Sequence, residues 1–475
     1  MVLINAFILS LIKKQTKIYY HRLLILFVYF FVSTGIYAQK IIGKWYGKLK
    51  IPTTSLRINF TIKKDSTGYK TTMDSPDQGA FDIPTDKTNI KDGKIAVFIN
   101  AMMLNYKGTI KKDSIIGVFT QNGQSFPLNL SKNKIEASKQ KRRPQDPVKP
   151  YPYYVENISF VNKQANNIKL AGTLTVPENV KNPPVVILIS GSGPQNRNEE
   201  ITLFNHRPFL VLSDFLTRKG IAVLRYDDRG VGESQGQFKG ATTADFATDV
   251  IAAIHYLKNR KDLHFSKIGL IGHSEGGLIA PIVASQNKAV DFLVLLAAPG
   301  VAGATVLTSQ KEKLQELSGI SNAIIEADKK QTEKIYHIIN TAKNIETIKI
   351  KLQKLLQNDT NLTDDIKKRM IASYTDPWLV YFIKSDPKKY LKKVTCPILA
   401  LNGSKDFQVI PDINLNGINE ATKENKHVII KEIKGVNHLF QPCITGNIDE
   451  YANIDVTFSP QVLQIIADWI AKTSK

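Results

Sequence analysis

Two rhythms of hydrophobic and polar residues divide the chain. From Ile41 to Leu130 apolar residues alternate with polar ones in short runs, among them Leu56-Arg-Ile-Asn-Phe-Thr-Ile62, Ile95-Ala-Val-Phe-Ile99 and Ile115-Ile-Gly-Val-Phe119. Turn formers such as Asp65-Ser-Thr-Gly68, Lys91-Asp-Gly93 and Gln121-Asn-Gly123 separate the runs. A period of two with that punctuation predicts an antiparallel β module, a small barrel or sandwich, over residues 39–131. Within Gly43-Lys-Trp-Tyr-Gly47, Trp45 fits a plug at one end of such a module better than a ligand-stacking surface. Residues 132–152 then lose the alternation and run into Lys141-Arg-Arg-Pro-Gln-Asp-Pro-Val-Lys-Pro150. Closely spaced prolines forbid helix there and predict an extended linker.

Beyond Tyr153 the rhythm becomes strand, loop, helix. After the pair Val155–Val161 and Ile168–Val176 come near-continuous apolar runs, Val185–Ile189, Ile221–Arg225, Ile268–Ile271, Phe292–Leu296 and Ile398–Leu401. Segments of helical period lie between them, such as Phe209–Lys219, Ala244–Lys258 and Gly277–Ser285. Apolar strands alternating with helices predict a mostly parallel sheet with helices on both faces, filling residues 153–475. From Val301 to about Tyr390 no strand pattern occurs, only Lys/Glu-rich helical pattern. An all-helical insertion at the carboxyl ends of sheet strands is placed to cap a site.

The first 38 residues stand apart. Basic Lys13, Lys14, Lys17 and Arg22 precede the apolar run Leu23–Val32, and small residues end at Ala38. That order is a signal peptide, and an apolar run of ten residues is half of the roughly 20 that span a bilayer. Cleavage and export to the periplasm or exterior, without stable membrane insertion afterwards, are expected; the long basic region keeps an uncleaved anchor as the alternative. The net charge of +22 comes from lysines spread over nearly every segment, with no arginine-rich stripe and no nucleic-acid module. A solvated basic surface is the reading, and no nucleic-acid partner is expected. Two cysteines, Cys396 and Cys443, make neither a disulfide framework nor a thiolate metal site. Cys396 precedes the strand at 398–401 and Cys443 follows the strand-end loop that holds His438, so they start from opposite ends of the sheet and two free thiols are expected.

The chemistry lies in three turns. Ile268-Gly-Leu-Ile-Gly-His-Ser-Glu-Gly-Gly277 runs from a strand through Gly272-His-Ser-Glu-Gly276 straight into a helix. This is the context in which a serine is lifted out of a tight turn as a nucleophile, with the N-terminal end of a helix behind it. The same five-residue pattern recurs at Gly232-Glu-Ser-Gln-Gly236, but in mid-loop after Asp227-Asp-Arg-Gly230, so Ser274 is the candidate and Ser234 is not. Among eight histidines, His438 in Lys434-Gly-Val-Asn-His438 follows a strand and is placed to serve as general base. His206 is its one serious rival, and His273 is expected to point elsewhere. Asp406, at the end of Leu401-Asn-Gly-Ser-Lys-Asp406, is the candidate orienting acid, with Asp412 the fallback. The third turn, Ser190-Gly-Ser-Gly-Pro-Gln195, lets backbone approach a substrate. The expected oxyanion donors are the main-chain N–H of Glu275 and one from this turn, placed at Ser192 with Gly193 and Gln195 open.

With these motifs in place, the chain from Tyr153 onward resembles an α/β-hydrolase of the serine aminopeptidase (S33)-like group, and within it the secreted bacterial EstD-like esterases that carry an N-terminal accessory domain. The resemblance rests on Gly191-Ser-Gly-Pro-Gln-Asn-Arg-Asn198, Arg225-Tyr-Asp-Asp-Arg-Gly-Val-Gly-Glu-Ser234, Gly272-His-Ser-Glu-Gly-Gly277, Leu401–Asp406 and Gly435–His438. It implies a cofactor-free, metal-free hydrolase of small acyl esters. An aminopeptidase or amidase of the same fold, or an inert envelope-binding protein, are the alternatives. The family's first turn more often carries acids where Asn196 and Asn198 stand, and for Asp227, Asp228 and Arg229 a structural role is expected.

Overall fold

The computed structural model describes residues 41–51, 54–78, 80–121, 124–136, 143–357, 359–360 and 362–475. The expected signal peptide, residues 1–38, lies outside the described residues. Among those described, no helix is long and apolar enough to cross a membrane. The chain divides into two units between residues 140 and 141.

The first unit is one antiparallel sheet. Its strands are β1 (Gly43–Ile51), β2 (Thr54–Asp65), β3 (Gly68–Ser75), β4 (Ala80–Pro84), β5 (Lys87–Lys91), β6 (Lys94–Ile99), β7 (Leu104–Lys111), β8 (Ser114–Gln121), β9 (Gln124–Pro127) and β10 (Leu130–Ser131). They are ordered β4-β3-β2-β1-β10-β8-β7-β6-β5, with β9 added to β8. Register places Trp45 opposite Phe60 and Phe60 opposite Met73, and these side chains share the buried face with Ile58, Ile62, Val97 and Tyr106. The period-two pattern is thus the record of one dry and one wet face. The sheet curls toward closure as a half-barrel: the Thr88 hydroxyl donates to that of Thr71 across β5 and β3 at 2.9 Å, and Thr85 N–H reaches Thr71 O. Trp45 is buried in this curl, its indole N–H donating to Ile41 O at 2.7 Å while the Lys132 ammonium sits 4.0 Å from the ring centre.

The second unit holds an eight-stranded sheet. Strands β11 (Tyr154–Asn162), β12 (Ile168–Val176), β13 (Val185–Ile189), β14 (Ala222–Tyr226), β15 (Ile268–His273), β16 (Phe292–Leu296), β17 (Ile398–Gly403) and β18 (Val428–Ile433) lie in the order β11-β12-β14-β13-β15-β16-β17-β18. β12 is antiparallel to β11 and β14, and from β14 to β18 all neighbours are parallel. Strands β13 to β17 are buried residue by residue because helices cover both faces. Helices α1 (Pro208–Arg218) and α11 (Pro460–Thr473) close one core, through Leu212, Leu216, Leu463 and Ile466 against Phe292 and Leu399. Helices α2 (Thr243–Lys258), α3 (Gly276–Ala284) and α10 (Pro411–Ala421) close the other, through Val250, Ile254, Leu278 and Ile418.

Between β16 and β17 the expected all-helical insertion is present as α4 (Gly303–Leu317), α5 (Asn322–Thr341), α6 (Ile345–Gln357), α7 (Asp364–Tyr374), α8 (Pro377–Lys384) and α9 (Lys388–Leu391). It carries its own small core, with Ile335, Ile339, Ile348, Leu352 and Ile383 in contact.

The linker reading of residues 132–152 needs correction at its C-terminal half. Arg143 is buried, and its guanidinium donates to Phe204 O at 3.1 and 3.0 Å, Ile454 O at 2.5 Å and Asp455 O at 3.3 Å. Gln145 accepts N–H bonds from Thr457 and Phe458, and Asp146 pairs with Arg207 at 2.7 Å. Proline spacing forbids helix but does not make a segment free: side chains between the prolines satisfy backbone carbonyls of two loops.

Cys396 and Cys443 are both unpaired, and burial pushes each thiol up to about 11. Mass spectrometry of the non-reduced, alkylated protein should find two free thiols and no linked peptide pair, with a Tm that mild reductant leaves unchanged.

Candidate active site

The turn from β15 into α3 is shaped by close approach. A Cβ on Gly272 would lie 2.1 Å from Gly276 O, and one on Gly276 would lie 2.2 Å from Ile189 O. Only glycine permits that contact. It lets helix α3 begin against the sheet two residues after the strand ends, which forces Ser274 to a φ of +52°. Ser274 N–H donates to Leu296 O at 2.9 Å, fixing the turn to the next strand.

Asp406 and His438 come from the loops after β17 and β18, as expected, and the structure brings them together. His438 Nδ1–H donates to Asp406 Oδ2 at 2.8 Å, with both side chains buried. The other carboxylate oxygen of Asp406 accepts N–H bonds from Gln408 at 2.8 Å and Val409 at 2.9 Å. Those bonds leave the carboxylate one orientation. Asn437 fixes the loop of His438 by accepting from Leu439 and Gln441 N–H. Asp412, the fallback acid, sits in the first turn of α10.

Ser274 and His438 open on one cavity of about 410 Å³. Its walls carry Ile201, Phe204, Val306, Leu307, Trp378 and Phe382, so much of the lining is apolar, and several of these side chains belong to the cap. Ser192 and Glu275 also line it, and among the described residues neither main-chain N–H has a hydrogen-bond partner. The Gln195 N–H is engaged, donating to Asp228 Oδ2 at 3.0 Å. Gly193 is not on the cavity wall.

Ser234 occupies the structural place expected of it: its hydroxyl donates to Asp227 O at 2.7 Å and accepts from Ala171 N–H. The acidic loop before it holds the first turn in position. Arg197 makes a double bond of charges to Asp227 at 3.1 and 2.6 Å. Asp228 accepts from the Ser190 hydroxyl as well as Gln195 N–H, and burial pushes its carboxyl up to about 8. Arg229 is bidentate on Asp249 at 2.8 and 2.9 Å. Asn198 accepts from buried Arg225, so the residue that replaces a family acid faces a guanidinium and not the cavity. With no carboxylate there, burial lowers the Arg225 pKa to about 10.

His206 is no base. Its ring is buried, neither nitrogen has a hydrogen-bond partner among the described residues, and burial, reinforced by the positive Arg143, pushes its pKa down to about 3.

Sequence reasoning missed several side chains here. His273, expected to point elsewhere, lies under the site with its ring centre 4.8 Å from that of His438. Its Nδ1 meets Glu199 Oε1 at 2.8 Å and its Nε2 meets His438 O at 3.0 Å. The Glu275 carboxylate, whose pKa burial raises, accepts from Thr243 at 2.6 Å and from the indole N–H of Trp378 on the cap at 2.8 Å. Arg143 supports Phe204 and the loop of Tyr451, whose rings meet edge-on at 6.0 Å on the cavity wall.

A doubly covered sheet of this strand order, with a serine at a glycine-flanked strand-to-helix turn and an acid and a histidine after later strands, defines an α/β-hydrolase. Residues 207–440 match the family model described as serine aminopeptidase, S33, and the second unit is accordingly similar to the S33-like α/β-hydrolases. It is 28% identical over 285 residues to Esterase EstD of Thermotoga maritima, a match covering 60% of this chain and 58% of that protein. The esterase Pf2001 of Pyrococcus furiosus is similar at 15% identity with a TM-score of 0.44, covering 72% of this chain and 100% of that one. Est1E of Butyrivibrio proteoclasticus is similar at 17% identity with a TM-score of 0.39, covering 67% and 98%.

Removing the Arg143 guanidinium strands buried carbonyls on two cavity-lining loops. Arg143→Ala should cost about 2–3 kcal/mol of stability and raise KM more than it lowers kcat; chemical denaturation and steady-state kinetics check this.

Proposed function

We propose that the protein is an exported serine hydrolase that cleaves carboxylic esters through an acyl-serine intermediate. The observation that carries the reading is the alignment of Asp406 and His438 at 2.8 Å on a cavity that also exposes Ser274. In this reading His438 Nε2 takes the Ser274 Oγ proton as the oxygen attacks the ester carbonyl. The N–H groups of Glu275 and Ser192 receive the oxyanion, and His438 returns the proton to the leaving alcohol. Water then gives a proton to His438 as its oxygen attacks the acyl carbon, the bond to Ser274 Oγ breaks with that oxygen taking the proton back from His438, and the acid leaves. Asp406 keeps Nδ1 protonated and steadies the imidazolium that forms twice per cycle. Export rests on the leader alone, and the substrate reading rests on the cavity together with the likeness to an esterase.

An aminopeptidase needs a carboxylate for the substrate ammonium. The acids on the cavity wall are Glu199 and Glu275, and both are already engaged, the first by His273 and Gly191, the second by Thr243 and Trp378. That favours a neutral acyl group. An inert binding protein would have no need of the Asp406–His438 alignment.

A fluorophosphonate probe should label the wild-type protein and Ser234→Ala but not Ser274→Ala; label retained by Ser274→Ala sinks the assignment. His438→Ala and Asp406→Asn should lower kcat by about 10³ to 10⁴ without unfolding the protein.

The cap predicts selectivity. Leu307→Trp, which fills the cavity from α4, should lower kcat/KM for octanoyl esters about tenfold more than for acetyl esters. Its labelling by a small probe should stay at the wild-type rate.

A further inference from the structure

The pair Glu199 and His273 lies outside the reaction just described, yet it touches both loops that the reaction uses. Glu199 Oε1 accepts from Gly191 N–H at 2.8 Å, at the root of the Ser190–Gln195 turn, and meets His273 Nδ1 at the same distance. On its far side His273 Nε2 meets the main-chain oxygen of His438 at 3.0 Å. Glu199, His273 and His438 are all buried, so a bond left unmade there costs more than one at the surface. Glu199 itself stands at a φ of +51°, a conformation that costs free energy in a side-chain-bearing residue and persists only where surrounding contacts enforce it.

The partners determine the protonation. A carboxylate oxygen and a peptide oxygen are acceptors, so an imidazole between them satisfies both only by donating from both nitrogens, and a neutral ring has one proton to give. We propose that His273 is an imidazolium at neutral pH, paired with the Glu199 carboxylate, and that this ion pair is a positioning device holding the oxyanion turn and the loop of the base in register. The proposal rests on the reading of His438 as the base.

The surrounding charges agree with it. Burial alone would lower the His273 pKa, but the Glu199 carboxylate beside it and the Asp406 carboxylate beyond outweigh burial and raise it above the ordinary value. The other titratable neighbours are His438, whose ring stacks at a tilt over it, and His206, held neutral with Arg143 and Arg207 beside it. A His206 that cannot take a second charge is what a cationic His273 requires. Its raised folded-state pKa means that the pair stabilises fully below the unfolded value of about 6.5 and that the contribution is lost as pH rises through the higher folded value. When His273 gives up its proton, one of its two bonds must go, and the register of the loops with it.

Two measurements on the full chain test this. In protein labelled with ¹⁵N-histidine, the ring absent from the His273→Gln spectrum should carry protons on both nitrogens at pH 7.5. A ring protonated at one nitrogen, as it would be if Glu199 held the other proton, overturns the proposal. Glu199→Gln keeps the shape and removes the charge. It should lower kcat at pH 8 by about tenfold with KM little changed, approach the wild type near pH 6, and move the basic limb of the kcat profile to lower pH. A profile superimposed on the wild type overturns the positioning role, and should Glu199→Gln fail to fold, the wild-type spectrum still decides the ion pair. Failure of the ester reading is separate: it would show as activity retained in Ser274→Ala or His438→Ala, which leaves the ring spectrum unaffected.

Discussion

The closeness of α3 to the sheet governs the hydrolase unit. Because Gly272 and Gly276 allow backbone to meet backbone where any side chain would stand about 2 Å from a carbonyl oxygen, the helix starts at once and the serine between is driven into a left-handed conformation. The strain is held by the packing of β15 between β13 and β16, two strands buried along their whole length. Everything else is arranged around that fixed point: a turn from β13 on one side, the acid and histidine loops from β17 and β18 on the other, and the cap above.

The fold was legible because its signals are local. Solid apolar runs, helical periods between them and a ninety-residue gap in strand pattern each report a burial state that a window of sequence carries. The serine was legible for the same reason, since strand, turn and helix follow one another within ten residues, and Ser234 could be set aside on that context alone. Asp406 and His438 stood out as candidates because each follows a recognisable strand.

The remaining site residues had no such signal. Glu199 and His273 are 74 positions apart, and His273 meets a main-chain oxygen 165 positions away. Arg143 reaches carbonyls more than 300 positions on. Hydrogen bonds of that span follow from topology, not from periodicity, and an arginine in a basic, proline-rich stretch reads as a solvated linker until the loops it serves are placed beside it. His273 was misjudged because it flanks the serine in sequence, where alternation sends its side chain to the opposite side of the strand; that side is where the loop of His438 comes down.

The bond between Glu275 and Trp378 joins two functions in one residue. In the proposed reaction the main-chain N–H of Glu275 receives the oxyanion, while its side chain accepts from a tryptophan of the cavity wall. A cap exchanged between relatives would therefore carry its selectivity with it only if the tryptophan and the acid travelled together. On the proposed reaction, a change in the cavity wall at Trp378 is felt at the residue that supplies the oxyanion donor, which couples selectivity to turnover.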